Sequence, residues 1–266
     1  MTKPADVRFG FGKNWKRFIA EIRDDQITRA HDALLEFHGA ERLRGCDFID
    51  IGCGSGLHSL AAVMAGAATV LSVDYDLHSV ESAQQLKTVK APSAAWEIRQ
   101  VDILSPADLK SLRTYDLVYS WGVLHHTGAM WSAITNTLTL VKPQGWLHIA
   151  IYNRHRRSGI WKFIKGTYVR CPGFLQQALL GVYAVLDVLR MLWRRQNPLR
   201  VIRSYKKDRG MRWLINLRDW LGGYPYEYAS AAEITDFVCS RGFKLVKTLP
   251  NSGTGCAEFL FQKERL

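Results

Sequence analysis

The sequence predicts an α/β fold: a mostly parallel sheet with helices on both faces, interrupted late in the chain by a mostly helical insertion. Three observations carry this. From residue 46 to residue 152 short apolar runs alternate with stretches of helical period. From 153 to 229 that alternation stops. After 230 it resumes with one helix and two strands. Strand–helix–strand alternation implies right-handed crossovers, and hence parallel neighbours.

Taken in order, the elements begin with an amphipathic helix over Asn14–His38, where Phe18, Ile22, Ile27, Ala30, Leu34 and Phe37 fall near helical spacing. Strands are expected at Asp47–Ile51, Thr69–Asp74, Trp96–Val101, Asp116–Ser120 and Trp146–Tyr152. Helices are expected between them at His58–Ala65, Leu77–Val89, Ala107–Leu112 and Trp131–Val141. The ending reads as a helix at Ala231–Ser240 and strands at Phe243–Leu249 and Glu258–Gln262. The chain thus divides into an N-terminal helical segment or lid (1–45), a core (46–152), a helical insertion (153–229) and the last elements of the core (230–266). Phe9–Trp15, with two glycines among its aromatic residues, is the candidate lid.

Composition narrows the class. With 266 residues, 47% of them hydrophobic, the chain can bury a full core. Its five cysteines, Cys46, Cys53, Cys171, Cys239 and Cys256, form neither a CxxC pair nor a cluster with zinc spacing. No metal site is expected, and a reduced, cytoplasmic chain is the simplest reading. The first residues lack a signal-peptide pattern. Every apolar run of spanning length carries a charge, which argues against a transmembrane helix.

The net charge of +12 is unevenly placed. Between Tyr152 and Tyr228 there are sixteen basic and four acidic residues, so the insertion holds the entire excess and the remainder is neutral. Such confinement suggests a separate unit facing an anionic partner.

Asp50-Ile51-Gly52-Cys53-Gly54-Ser55-Gly56 follows an apolar strand and opens a helix. Glycines permit a tight turn and close approach of backbone to ligand, and a helix N-terminus offers N–H groups to an anionic group. The spacing is GxGxG behind an acid, which differs from the GxGxxG of nicotinamide-dinucleotide sites. Asp74, at the end of the second strand, can accept hydrogen bonds from two ribose hydroxyls, and Asp102, after the third, from an adenine amino group. All these positions lie at the carboxyl ends of parallel strands, where open α/β sheets bind ligands.

These runs, together with Ser72-Val73-Asp74, Val101-Asp102-Ile103 and Tyr115 through His126, resemble the successive motifs of class I S-adenosylmethionine-dependent methyltransferases. The resemblance covers roughly residues 46–152 and the ending after 230. It implies a Rossmann-like seven-stranded sheet with an antiparallel last strand, and S-adenosylmethionine as cofactor. By that likeness the loop at Asp50, Gly52, Cys53, Gly54 and Gly56 wraps the methionine portion. Asp74, with Tyr75 beside it, holds the ribose, Asp102 and Ile103 read the adenine, and Ser120 and Trp121 lie beside the methionine portion.

Methyl transfer is an in-line displacement, and an oxygen acceptor also needs a base. His125 and His126 follow the fourth strand, and histidine titrates near neutral pH. Phosphoethanolamine methyltransferases are similar in carrying a catalytic histidine at the place of His125, which is therefore the first candidate. The alternative is that the pair only shapes the pocket. Tyr152 and Asn153 after the fifth strand, and Tyr224, Tyr226 and Glu227 in a glycine- and proline-rich turn, are candidate acceptor contacts.

Phe174–Trp193 reads as a helix with a narrow polar stripe. It is either a buried cap or dimer contact, or it lies on an anionic membrane surface, as in quinone-biosynthesis O-methyltransferases, which are similar in placing a membrane-contacting insertion after the fifth strand. The second case would place a cytoplasmic chain peripherally at the inner membrane surface. Nucleic acid is disfavoured: the fourth strand is followed by Ser120-Trp121-Gly122-Val123 and not by a [DN]-P-P-[YF] run, and there is no Pro-Cys loop. The reading is methyl transfer to an oxygen of a small or lipid-linked acceptor. The alternatives are an N-methyltransferase of an amine, a nucleic-acid methyltransferase and a non-catalytic cofactor-binding subunit. Intact motifs at every cofactor position argue against the last.

Overall fold

The computed structural model describes Gly12 and residues 22–205, 213–253 and 255–265, together with the backbone of 206–209. Its seven strands are β1 (Asp47–Ile51), β2 (Thr69–Asp74), β3 (Trp96–Gln100), β4 (Tyr115–Trp121), β5 (Val141–Tyr152), β6 (Phe243–Leu249) and β7 (Cys256–Lys263). They form one sheet in the order β3-β2-β1-β4-β5-β7-β6. The first five are parallel, and β7 runs antiparallel to both β5 and β6. This is the Rossmann-like sheet expected from the sequence, antiparallel last strand included. The strand order reverses between β1 and β4, which opens a crevice at their carboxyl ends.

The helices, in chain order, are α1 (Asp24–His38), α2 (Ala40–Leu43), α3 (Leu57–Met64), α4 (Leu77–Lys90), α5 (Pro106–Lys110), α6 (Met130–Thr139), α7 (Ser158–Arg170), α8 (Gly173–Trp193), α9 (Pro198–Arg209), α10 (Trp213–Gly222) and α11 (Ala231–Cys239). Successive strand residues point to opposite faces, so each strand feeds two cores. On one face Phe48, Val70, Leu117 and Tyr119 pack with Ile27 and Leu34 of α1 and Leu60 of α3. On the other, Ile49, Val73, Val118 and Ile149 pack with Ile134 and Leu138 of α6 and Ile234 and Val238 of α11. Coverage of both faces is why these strands read as apolar runs and not as alternation.

Two elements differ from expectation. The N-terminal helix, expected over Asn14–His38, starts within the described residues at Asp24; residues 13–21 lie outside them. The Gln26 side chain accepts the Arg23 backbone N–H at 3.0 Å, and Asp24 and Asp25 occupy the first turn, which together make a start signal. Strand β5 begins at Val141 and not Trp146. A bulge at Lys142–Gly145 lets Tyr115 pair with Val141 and Leu117 with Trp146, with Gln144 at φ 62°.

The chain falls into two compact units. The sheet unit comprises, of the described residues, Gly12, 22–158 and 227–265. Its ends at the insertion are tied to one another: Arg154 N–H donates to Ala229 O at 2.9 Å and Ala229 N–H to Tyr152 O at 3.1 Å. The helical unit, Gly159–Tyr226, has its own small core of Tyr168, Leu180, Leu217 and Leu221, flanked by Trp161, Tyr183 and Trp213. Asp187 of α8 sits on its inner side, accepting from Trp213 Nε1 at 2.9 Å and pairing with Arg190 at 2.6 Å. Lys165 is wholly buried there, donating to the Trp220 carbonyl and lying over the Trp220 and Tyr226 rings; burial pushes its ammonium down to about 7.

Candidate functional site

The loop from β1 to α3 forms the floor of the site. Gly52 has φ 75°, and a Cβ there would lie 2.3 Å from Val123 Cγ1, so the position demands glycine both conformationally and sterically. Gly56 has φ 78° and is the N-cap of α3, with no side chain capping that helix. The first-turn N–H groups of α3 are thus left to a ligand.

Asp74 stands at the carboxyl end of β2. Its Oδ2 accepts Gly54 N–H at 2.9 Å and its Oδ1 accepts Asp76 N–H at 2.8 Å. Burial pushes this carboxyl up to about 6, although both N–H donors pull the other way. Ser79 adds a side-chain hydrogen bond to it, so of the roughly four lone-pair positions of the carboxylate one is left for a ribose hydroxyl. Asp76 caps α4 through His78 N–H, and its other oxygen accepts Gly12 N–H at 2.8 Å. Of the candidate lid, Phe9–Trp15, only Gly12 lies within the described residues, and it is held against Asp76 and His78 at the start of α4. Asp102 follows the end of β3. It accepts Leu104 N–H at 2.9 Å, while its own N–H donates to Asp108. Ile103 beside it is buried, and Tyr75 is exposed.

Asp50, Cys53 and Ser120 lie deeper. Asp50 is buried and ends a one-way chain of donors: Trp96 Nε1 to Ser72 Oγ (2.7 Å), Ser72 to Ser59 (2.6 Å), and Ser59 to Asp50 Oδ2 (2.6 Å). Desolvation pushes the Asp50 carboxyl up to about 7 against the pull of Ser59. Burial likewise raises the Cys53 thiol, which keeps it protonated. The Ser120 hydroxyl donates to Ile51 O at 2.9 Å and ties β4 to β1. Trp121, the last residue of β4, is exposed.

Past β4 the chain makes a single 3-10 turn, Leu124–His126. The rings of His125 and Tyr152 stand 3.9 Å apart, and that of His126 stands 4.5 Å from His125 and edge-on to Tyr152 at 5.3 Å. The structure differentiates the two histidines. His125 is fully buried, with Nδ1 facing Tyr152 N–H at 3.4 Å and its carbonyl taking Glu227 N–H at 3.0 Å. His126 is only partly buried, so it is the accessible imidazole of the pair. The Glu227 carboxylate accepts Met130 N–H at 3.0 Å, the first N–H of α6, and so braces this turn. Asn153 is engaged with backbone of the β6–β7 connection, donating to Asn251 O and Gly255 O. Tyr224 and Tyr226 belong to the helical unit. There Tyr226 is fully buried, a packing position, and Tyr224 lines a groove with Lys162, Thr167 and Arg170. Among the described residues no cluster of His, Cys, Asp and Glu has the arrangement of a metal site.

A second polar group inside the sheet unit lies outside every motif read from the sequence. Trp121 donates a hydrogen bond to Glu258 of β7, which also takes His148 Nε2 at 3.2 Å; His148 Nδ1 in turn meets His38 Nε2 at 2.9 Å. Phe37 stacks on His148 at 4.0 Å. Burial and neighbouring cations push His38 down to about 2, and burial pushes nearby His58 to about 4. Burial raises the Glu258 carboxyl, but its two donors outweigh that and leave it lowered. This array is neutral around His38 and anionic at Glu258. The available signal was His148, a polar residue in the middle of an apolar strand.

The fit to S-adenosylmethionine can be judged from these groups. An uncapped helix N-terminus suits a carboxylate, Asp74 at the end of β2 suits a ribose hydroxyl, and the crowded glycine cradle suits close backbone approach.

Comparisons with known proteins agree with this arrangement. Residues 49–147 match the family model described as methyltransferase domain. The chain is 29% identical over 131 residues to the ubiquinone biosynthesis O-methyltransferase of Paracidovorax citrulli, covering 49% of this chain and 54% of that protein. It is 43% identical over 77 residues to the ribosomal protein L11 methyltransferase of Thermosipho melanesiensis, covering 29% and 28%. The similarity therefore spans about half of the first relative's length and less of the second's. Among solved structures, magnesium protoporphyrin IX methyltransferase from Synechocystis PCC 6803 with bound SAH superposes with a TM-score of 0.57 at 18% identity, covering 95% of this chain and 94% of that one.

Proposed function

We propose that this chain, whose residues 49–147 match the methyltransferase domain, is a class I S-adenosylmethionine-dependent methyltransferase that methylates an oxygen of a small or lipid-linked acceptor, with His126 taking the acceptor's proton. S-adenosylmethionine, when bound, supplies an electrophilic methyl group on a sulfonium. The chain's own residues do the rest. Asp74 holds the ribose, Asp102 and Ile103 take the adenine, and the N-terminus of α3 receives the carboxylate. The observation that carries the acceptor chemistry is the ring cluster of His125, His126 and Tyr152 beyond the ends of β4 and β5. It sits at the same sheet edge as the glycine loop, where an acceptor must lie for in-line attack.

Within the cluster His125 is a positioning residue. Its buried ring lies against Tyr152, and its carbonyl anchors Glu227. His126 is the imidazole an acceptor hydroxyl can reach. The name of one relative supports the acceptor class: it denotes an O-methyltransferase of ubiquinone biosynthesis.

His126→Ala should lower turnover about 10²–10⁴-fold, leave S-adenosylhomocysteine affinity unchanged, and remove the acid limb of the pH–rate profile. Added imidazole should restore part of the rate. A full-rate His126→Ala enzyme would remove the base assignment and point to an acceptor that needs none, such as an amine.

A further inference from the structure

Helix α8 is packed on one side only. Its buried residues are Leu180, Asp187 and Met191, and Asp187 is pinned by Trp213 and Arg190. On a helical projection of 100° per residue, Phe174, Leu175, Ala178, Leu179, Val182, Val185, Leu186, Leu189, Leu192 and Trp193 fill one continuous arc of about 140°. All ten are exposed, the larger side chains from 37% at Leu179 to 83% at Trp193. The stripe holds no charge and no hydrogen-bonding group except the indole of Trp193, and 21 residues make it about 30 Å long. Soluble surfaces rarely expose so large an apolar patch without a partner.

We infer that this stripe of α8 lies in the plane of an anionic lipid bilayer, its apolar arc in the acyl boundary and the surrounding arginines at the headgroups. Charge selects the partner. The insertion holds the whole +12 of the protein, and Arg194 and Arg195 stand exposed at the end of the stripe, next to the terminal Trp193. A second copy would bring an equal positive charge against the first, whereas an anionic leaflet is complementary. A partner protein of defined sequence would meet no polar feature on the stripe to fix its register. Phe163 and Ile160 of α7, Leu199 of α9 and Leu214 of α10 add exposed apolar side chains in the same unit. By length and composition α8 could also span a bilayer. Spanning would strip Asp187 of Trp213 and bury both its charge and that of Arg190 in hydrocarbon, so the in-plane arrangement is favoured. Anionic lipid is enriched on the cytoplasmic leaflet, which makes the protein peripheral there.

The inference does not rest on the methyl-transfer reading, and its test uses no methyl donor. The full chain is sedimented with vesicles of phosphatidylcholine plus phosphatidylglycerol, and with phosphatidylcholine alone. We expect binding to the first, weakened by salt, and little to the second. Val185→Glu and Leu189→Glu, both on the exposed arc, should reduce binding at least tenfold with unchanged thermal melting. Arg194→Gln with Arg195→Gln leaves the apolar arc intact and should reduce it about fivefold per arginine. The inference is overturned if the wild type ignores both vesicles, or if both glutamate variants bind like wild type. It is equally overturned if the free protein is a dimer that Val185→Glu turns into monomers, or if RNA retains the protein and vesicles do not.

Discussion

Asp50 leads the glycine loop, yet its carboxyl accepts from Ser59 at the end of a buried donor chain that starts at Trp96. A carboxyl held at about 7 when folded and near 4 when unfolded stabilises the folded chain fully at low pH. That contribution is lost as pH rises through about 7. Asp50→Asn keeps an acceptor for Ser59 but cannot ionise. Its stability relative to wild type should therefore rise by up to about 1.4 kcal/mol per pH unit between pH 4 and 7, and then level off. Melting temperatures across that range measure it; a difference independent of pH would show that Asp50 is ionised and solvated. At this scale the sequence was a partial guide. Asp50, Cys53 and Ser120 occur in the expected motif, but a strand covered on both faces carries no alternation to say which side chains turn inward. The donors Ser59, Ser72 and Trp96 come from three elements, and only the fold brings them together.

Among the elements, the loop joining β1 to α3 is the most constrained. Gly52 abuts Val123, so the glycine loop and the turn carrying His125 and His126 are packed against each other within the sheet unit. Gly52→Ala should destabilise the protein by about 1–3 kcal/mol from backbone strain and overpacking together. Adding Val123→Ala should recover the steric part and leave the cost of a positive φ. Chemical denaturation of the two variants reads this directly, and a Gly52→Ala protein as stable as wild type would mean that the turn can retreat. Five strands of the core were legible because parallel strands buried on both faces read as short apolar runs between helices. The start of β5 was not: Lys142-Pro143-Gln144-Gly145 has the composition of a turn, and the ladder absorbs it as a bulge. Nor was the difference in burial between His125 and His126, adjacent residues of one turn.

Taken whole, the molecule separates two chemistries. The sheet unit carries a nearly balanced charge and the strand-end carboxylates Asp74 and Asp102; the insertion carries the positive excess and the exposed apolar arc. A methyl acceptor dissolved in a bilayer is at high effective concentration for an enzyme tethered to the same surface. The sequence announced this separation through charge placement alone, while the apolar arc emerged only once α8 was seen packed by one side. The proposed function rests on the cofactor site, and calorimetric titration of S-adenosylhomocysteine into wild type and Asp74→Ala tests it most directly. Each hydrogen bond to a charged acceptor is worth about 1.5–3 kcal/mol. The wild type should therefore bind, and the variant, still folded by its melting curve, should bind about tenfold or more weakly. No heat of binding to wild type, or equal affinity in the two proteins, would contradict the site described here.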